Sequence, residues 1–188
     1  MSNPEYLAKG THVLAAQAVI DARLGSGTFL KLAQTAGASW PAILPMQWYD
    51  LNLLLKILVE AANRLGRSVE LLTTEIATQN AKNDLTTVYR VFLRILRPTI
   101  VLGFMPRMWE TYFKFGTVKV VTNERGQFTL ITSAIPERYL SWLRGGWMGF
   151  LPEKIRVAGG VAPLVTVDKI EPDELPGTFR MTLRATYQ

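Results

Sequence analysis

The sequence predicts an α+β fold: an N-terminal helical layer packed on a four-stranded antiparallel sheet, in the order helices, strand, strand, helix, strand, strand. Three observations carry this. Apolar residues recur with helical spacing from about residue 10 to 113, then alternate with period two from about 116 onward. Two turn-rich segments, TNERG and EPDELPG, each separate a pair of alternating runs, and a helical stretch lies between the pairs. The chain has 188 residues, 48% of them hydrophobic, which is enough to bury one continuous core without disulfides or metal staples. A single domain over 1–188 is expected, with its helical part at about 10–115 and its sheet-bearing part at about 116–188.

The first helix is expected from Thr11 to Leu24, with Val13, Ala16, Val19 and Ile20 on one stripe and Gly25 as its stop. A shorter helix covers Thr28 to Ala36 and ends at Gly37. Two prolines in SWPAILP forbid regular helix, and the next helix is expected from Met46 to Leu65, apolar around much of its circumference and hence central in the core. Ser68 caps a fourth helix, which Val69, Leu72 and Ile76 carry towards Asn80. After Asp84, Val88, Val91, Phe92, Ile95 and Leu96 share one face, Arg90, Arg94 and Arg97 project from the other, and Pro98 ends the helix. A final short helix starts at Pro106 and closes at Gly116. The alternating runs TVKVV and QFTLITSAI then form a hairpin, a helix follows from Glu137 to Met148, and VAPLVTVDKI and TFRMTLRATY form the second hairpin.

The residue inventory excludes much chemistry. Without cysteine there are no disulfides, thiolate nucleophiles, iron–sulfur clusters or cysteine-based zinc sites, and a reducing cytoplasm is the expected compartment. The N-terminus lacks the pattern of a signal peptide, and the longest apolar run, LNLLLKILVEAA, is broken by Lys56 and Glu60, so no membrane span is expected. His12 is the sole histidine, read as structural or solvent-facing, and no Gly-x-Ser-x-Gly elbow accompanies it. Asp168, Glu171, Asp173 and Glu174 read as a solvated hairpin end rather than a metal site. GSG at 25–27 lacks the lysine of a phosphate loop, and GGWMG follows a helix instead of preceding one. No catalytic residue, metal ligand or cofactor is expected.

Binding residues remain. Phe92, Phe104, Trp109, Tyr112 and Phe128 either fill the core or line an apolar ligand pocket, which would lie between the helix at 85–97, the segment 104–115 and the sheet. The net charge of +6 and the row Arg90, Arg94, Arg97 with Arg107 form a candidate surface for nucleic acid or another polyanion. Trp142 and Trp147 beside arginine have the composition of interface anchors for a protein partner, or are lids on the core. A homodimer through helices is compatible with this pattern.

Residues 85–135, with Leu102, Pro106, Arg107, Phe113, Gly126 and Leu130, resemble the central segment of an uncharacterised protein family expanded in myxobacteria. In element order that family resembles the superfold shared by TRAPP tethering subunits, 4-vinyl-reductase domains and haem-nitric-oxide-binding domains. The resemblance implies a bacterial binding module with an apolar ligand held between helices and sheet. In its haem branch it implies a Tyr-x-Ser-x-Arg clamp and a histidine in the helix preceding the sheet. Here Tyr139, Ser141 and Arg144 place the arginine one residue late, a rotation of about 100° on a helix, and His12 lies near the N-terminus. On those two departures haem is set aside. The expected role is a non-enzymatic module that binds an apolar small ligand or a protein partner in signalling or assembly; the alternatives are polyanion binding and a haem-based gas sensor.

Overall fold

The computed structural model describes residues 6–84 and 97–188. Alternation from Thr117 onward becomes a four-stranded sheet of β3 (Thr117–Glu124), β4 (Gln127–Pro136), β5 (Leu164–Pro172) and β6 (Thr178–Thr186), in the spatial order β3-β4-β6-β5. Every pairing is antiparallel. Its inner face is sealed by Phe128 and Leu130 of β4 and by Met181, Leu183 and Ala185 of β6, all at 0% exposure. Each side chain buried this way contributes on the order of 1.5–3 kcal/mol of transfer free energy, so the central pair β4-β6 is the sheet's anchor.

The helical layer consists of α1 (Gly10–Leu24), α2 (Thr28–Thr35), α3 (Leu51–Arg64), α4 (Val69–Asp84), α5 (Pro98–Gly103), α6 (Met105–Tyr112) and α7 (Leu140–Val157). The α1 stripe is buried as expected. α3 starts at Leu51 rather than Met46, because the Asp50 carboxylate caps it by accepting the Asn52 N–H at 2.8 Å. The residues before it form β2 (Trp48–Asp50), paired antiparallel with β1 (Leu7–Lys9) in a small second sheet. The arginine helix expected over 85–97 falls, apart from Arg97, outside the described residues.

The stretch RYLSWLRGGWMGFLP, residues 138–152, does not break at its glycines. After a short 3₁₀ turn at Glu137–Tyr139, α7 runs for 18 residues through its glycines and Pro152, past the end expected at Met148. Two of its three glycines, Gly145 and Gly149, serve packing. A Cβ on Gly145 would lie 2.3 Å from the Glu70 carbonyl oxygen, and one on Gly149 would lie 2.3 Å from that of Thr74. α7 thus lies directly on the α4 backbone along a Gly-x-x-x-Gly seam, and the two helices form one rigid wall.

Candidate ligand cavity

Five helices leave a cavity between them. α1 supplies His12 and Ala16, α3 supplies Leu54 and Leu58, and α4 supplies Thr73, Ile76, Ala77 and Asn80. α6 with its C-terminal extension, and α7, add the aromatic side. The free space amounts to about 830 Å³ with the solvent at its open mouth included, and about 90 Å³ of it admits the centre of a water-sized sphere. Its lining is almost wholly apolar.

The aromatic side is tied down by its polar edges. Trp109 and Trp147 stack with centroids 6.0 Å apart and planes inclined by 18°. The Trp109 indole N–H donates to the Phe115 carbonyl at 2.8 Å, and that of Trp147 donates to Thr132 Oγ1 at 3.1 Å. With both donors spent outside the cavity, the indoles offer it only carbon surface.

His12 is the exception in this lining. Its ring packs edge-on to Tyr112, with centroids 5.4 Å apart, and lies 4.7 Å from Phe113. Nε2 is sealed from solvent and has no hydrogen-bond partner. Burial lowers its pKa to about 4, because a charged imidazolium would have to shed water in an apolar surround. At neutral pH the cavity therefore holds a neutral imidazole.

Of the expected pocket residues, Trp109 and Tyr112 line this cavity. Phe128 lies instead in the sheet core at 0% exposure, and Phe104 is 46% exposed because it caps the junction of α5 and α6. Phe92, Arg90 and Arg94 lie outside the described residues, whereas Arg97 and Arg107 are exposed. Trp142 and Trp147, expected at a partner surface, are each only 6% exposed and line the cavity. The helix that carries them turns them inward, so of the two readings, partner surface or lids on the core, the partner surface is corrected and the lids fit. His12 was missed, although a signal existed: it stands four residues before Ala16 and so shares the buried side of α1. Tyr139, Ser141 and Arg144 do not converge. Tyr139 donates to Asn52 Oδ1 at 2.6 Å, Arg144 pairs with Glu70 at 3.2 Å, and Ser141 is exposed.

No family model and no curated protein matches the chain. Solved structures do. An oxygen-binding H-NOX domain related to soluble guanylate cyclases, in its oxygen complex, matches with a TM-score of 0.71 at 14% identity, over 96% of this chain and 95% of that one. The fold is that of the H-NOX domains. A variant of the T. tengcongensis H-NOX matches with a TM-score of 0.73 at 13% identity, over 96% and 97% of the two chains. An H-NOX structure from a study of haem distortion in that family gives 0.74 at 13% identity, over 96% and 95%. Among the three branches of the resemblance, these structures represent the haem-nitric-oxide one. The expectation of no cofactor, with haem set aside, is overturned by this likeness to haem-carrying H-NOX domains. Part of its premise fails too, since the fold brings His12 into the cavity wall despite its place near the N-terminus. Among the described residues no helix is long and apolar enough to cross a membrane, and no group of three or more His, Asp or Glu could hold a metal ion.

Proposed function

We propose that this chain is a non-catalytic sensor module that holds a planar apolar ligand of the haem class in the His12 cavity. The carrying observation is the neutral, unpartnered Nε2 of His12 beside a cavity walled by stacked indoles. A neutral imidazole is the form that ligates iron, and it would need no proton removed at neutral pH. Apolar walls match the faces of a porphyrin, and the fold neighbours support the class. Such a group would supply an iron centre for a diatomic gas. His12 would hold it through Nε2, Trp109, Trp147 and Phe113 would pack their rings against it, and the wall of α4 and α7 would shield it from water.

A second reading has its own observation. The described cavity lining contains no Lys or Arg, Tyr139 and Arg144 are engaged elsewhere and Ser141 is exposed, so nothing in that lining neutralises carboxylates. An uncharged apolar molecule, bound without iron, meets that lining equally well. Titration with hemin separates the two. Haem binding through His12 gives a saturable Soret shift with one equivalent, together with quenching of tryptophan fluorescence, and His12→Ala abolishes the shift. A Soret shift unchanged in His12→Ala removes His12 from the role. No spectral change, combined with an apolar molecule retained in native mass spectrometry, establishes the second reading. Salt titration against duplex DNA tests the polyanion alternative at Arg97 and Arg107, since phosphate contacts weaken steeply with salt.

A further inference from the structure

Away from the cavity, two lysines share one indole. Lys9 closes β1 and lies opposite Trp48 in the β1-β2 register. Its Nζ stands 4.0 Å from the Trp48 ring centroid and donates to the Met46 carbonyl at 2.7 Å. Lys114 reaches the same ring from the C-terminal end of α6, its Nζ 4.6 Å from the centroid, while its backbone N–H donates to the Leu7 carbonyl at 3.0 Å. An exposed cation–π contact is worth roughly 0.5–1 kcal/mol, but two ammonium groups at one ring also repel each other. Among the described residues, neither lysine takes part in an ion pair. By contrast, Arg23 and Arg67 share Glu75, Arg180 has Asp173, and Arg184 has Asp168.

Beside this pair the chain exposes apolar surface. Leu44 is 56% and Met46 69% exposed on the turn that leads into β2. Unbalanced positive charge fixed over an aromatic ring, next to two bare aliphatic side chains, is complementary to a segment carrying carboxylates and an apolar residue. Two aliphatic side chains are too few to hold the module on a bilayer, where stable anchoring takes a larger buried apolar area.

We infer that the face formed by Lys9, Trp48 and Lys114 with Leu44 and Met46 is a docking surface for an acidic, Leu-containing segment of a partner protein. Carboxylates would offset the two positive charges, and the apolar side chain would cover Leu44 and Met46. This goes beyond the cavity and does not depend on what fills it.

The test is fluorescence anisotropy of a fluorescein-labelled synthetic peptide of alternating Glu and Leu, titrated with the full chain at low salt. Replacing Lys9→Gln together with Lys114→Gln is expected to weaken binding by about tenfold, equivalent to about 1.4 kcal/mol. Lys31→Gln, at an exposed position on α2, is expected to leave it unchanged. Circular dichroism melts confirm that the variants stay folded. The inference is overturned if the wild-type chain does not bind the peptide, or if the double variant and the Lys31→Gln control lose affinity equally. It is overturned as well if vesicles containing phosphatidylserine bind in a Lys9- and Lys114-dependent way while the peptide does not.

Discussion

Gly149 carries no side chain at the point where α7 crosses Thr78 of α4. Its carbonyl oxygen lies 3.4 Å from Thr78 Oγ1, and a Cβ there would come 2.9 Å from the Thr78 backbone nitrogen. A methyl group would have to push two backbones apart. Gly149→Ala is therefore expected to destabilise the protein by about 1–3 kcal/mol in urea unfolding. Gly146, one turn position away, meets nothing within 4 Å. Gly146→Ala is expected to gain up to about 1 kcal/mol from helix propensity alone. Equal effects of the two substitutions would remove the seam as the reason for the glycines.

His12 makes stability depend on pH in a defined window. Burial lowers its pKa from 6.5 to about 4 in the folded chain, so between those values the unfolded chain binds more protons. Stability is thus fully present above pH 6.5, falls as the pH drops towards 4, and levels off below it. The loss is on the order of 3–4 kcal/mol, since one pKa unit corresponds to about 1.4 kcal/mol. Urea midpoints measured across this window should fall in the wild-type chain and fall less in His12→Phe.

Ala134 lies within β4, where the strand bulges against β6. It adopts φ 56, in the left-handed region, at the bulge between Thr132 and Ile135. Its N–H donates to Asp173 Oδ2 at 2.7 Å, and Asp173 Oδ1 accepts from the Glu174 N–H at 2.9 Å and from Arg180 at 3.0 Å. Ala134→Gly keeps the N–H and relieves the Cβ strain, with an expected gain of up to about 1 kcal/mol set against the added freedom of the unfolded chain. Asp173→Ala strips three donors and is expected to cost about 1–3 kcal/mol. The Ala134 N–H, then the Glu174 N–H and Arg180, hold the Asp173 carboxyl below the usual carboxylate range. Its contribution is accordingly present above the ordinary carboxylate pKa and lost as the pH falls through the lowered value. Acid unfolding of Asp173→Ala should be correspondingly less steep.

Thr132 is fully buried and accepts the Trp147 indole N–H. Thr132→Val preserves the shape and leaves that donor unpaired in a dry core, at an expected cost of about 1–3 kcal/mol, whereas Thr132→Ser keeps the acceptor. Guanidinium unfolding of the pair measures the difference.

The long periodic elements were legible because burial imposes their period. The α1 stripe and the alternation of β4 and β6 can be read directly from Val13, Ala16 and Ile20 and from Phe128, Leu130, Leu183 and Ala185. β1 and β2 were not legible, since three residues are too few to show an alternation. α7 was read too short, because a glycine that breaks a helix and a glycine that lets another helix approach are the same letter. Asp50 set the start of α3 through a cap that apolar spacing does not encode. For the site, Trp109 and Tyr112 could be read from an aromatic-rich segment. His12 could not be placed by its type, because its partners Tyr112 and Phe113 lie about a hundred residues further along the chain and meet it only after folding.

Phe113 stands against His12 inside the molecule, and its backbone bridges to Ala8; the next residue, Lys114, leans on Trp48 outside. A single peptide unit is all that separates interior from exterior at this point. The Ala8 bridge fixes both neighbours at once, so one short stretch of extended backbone sets a wall of the cavity and the position of a surface cation.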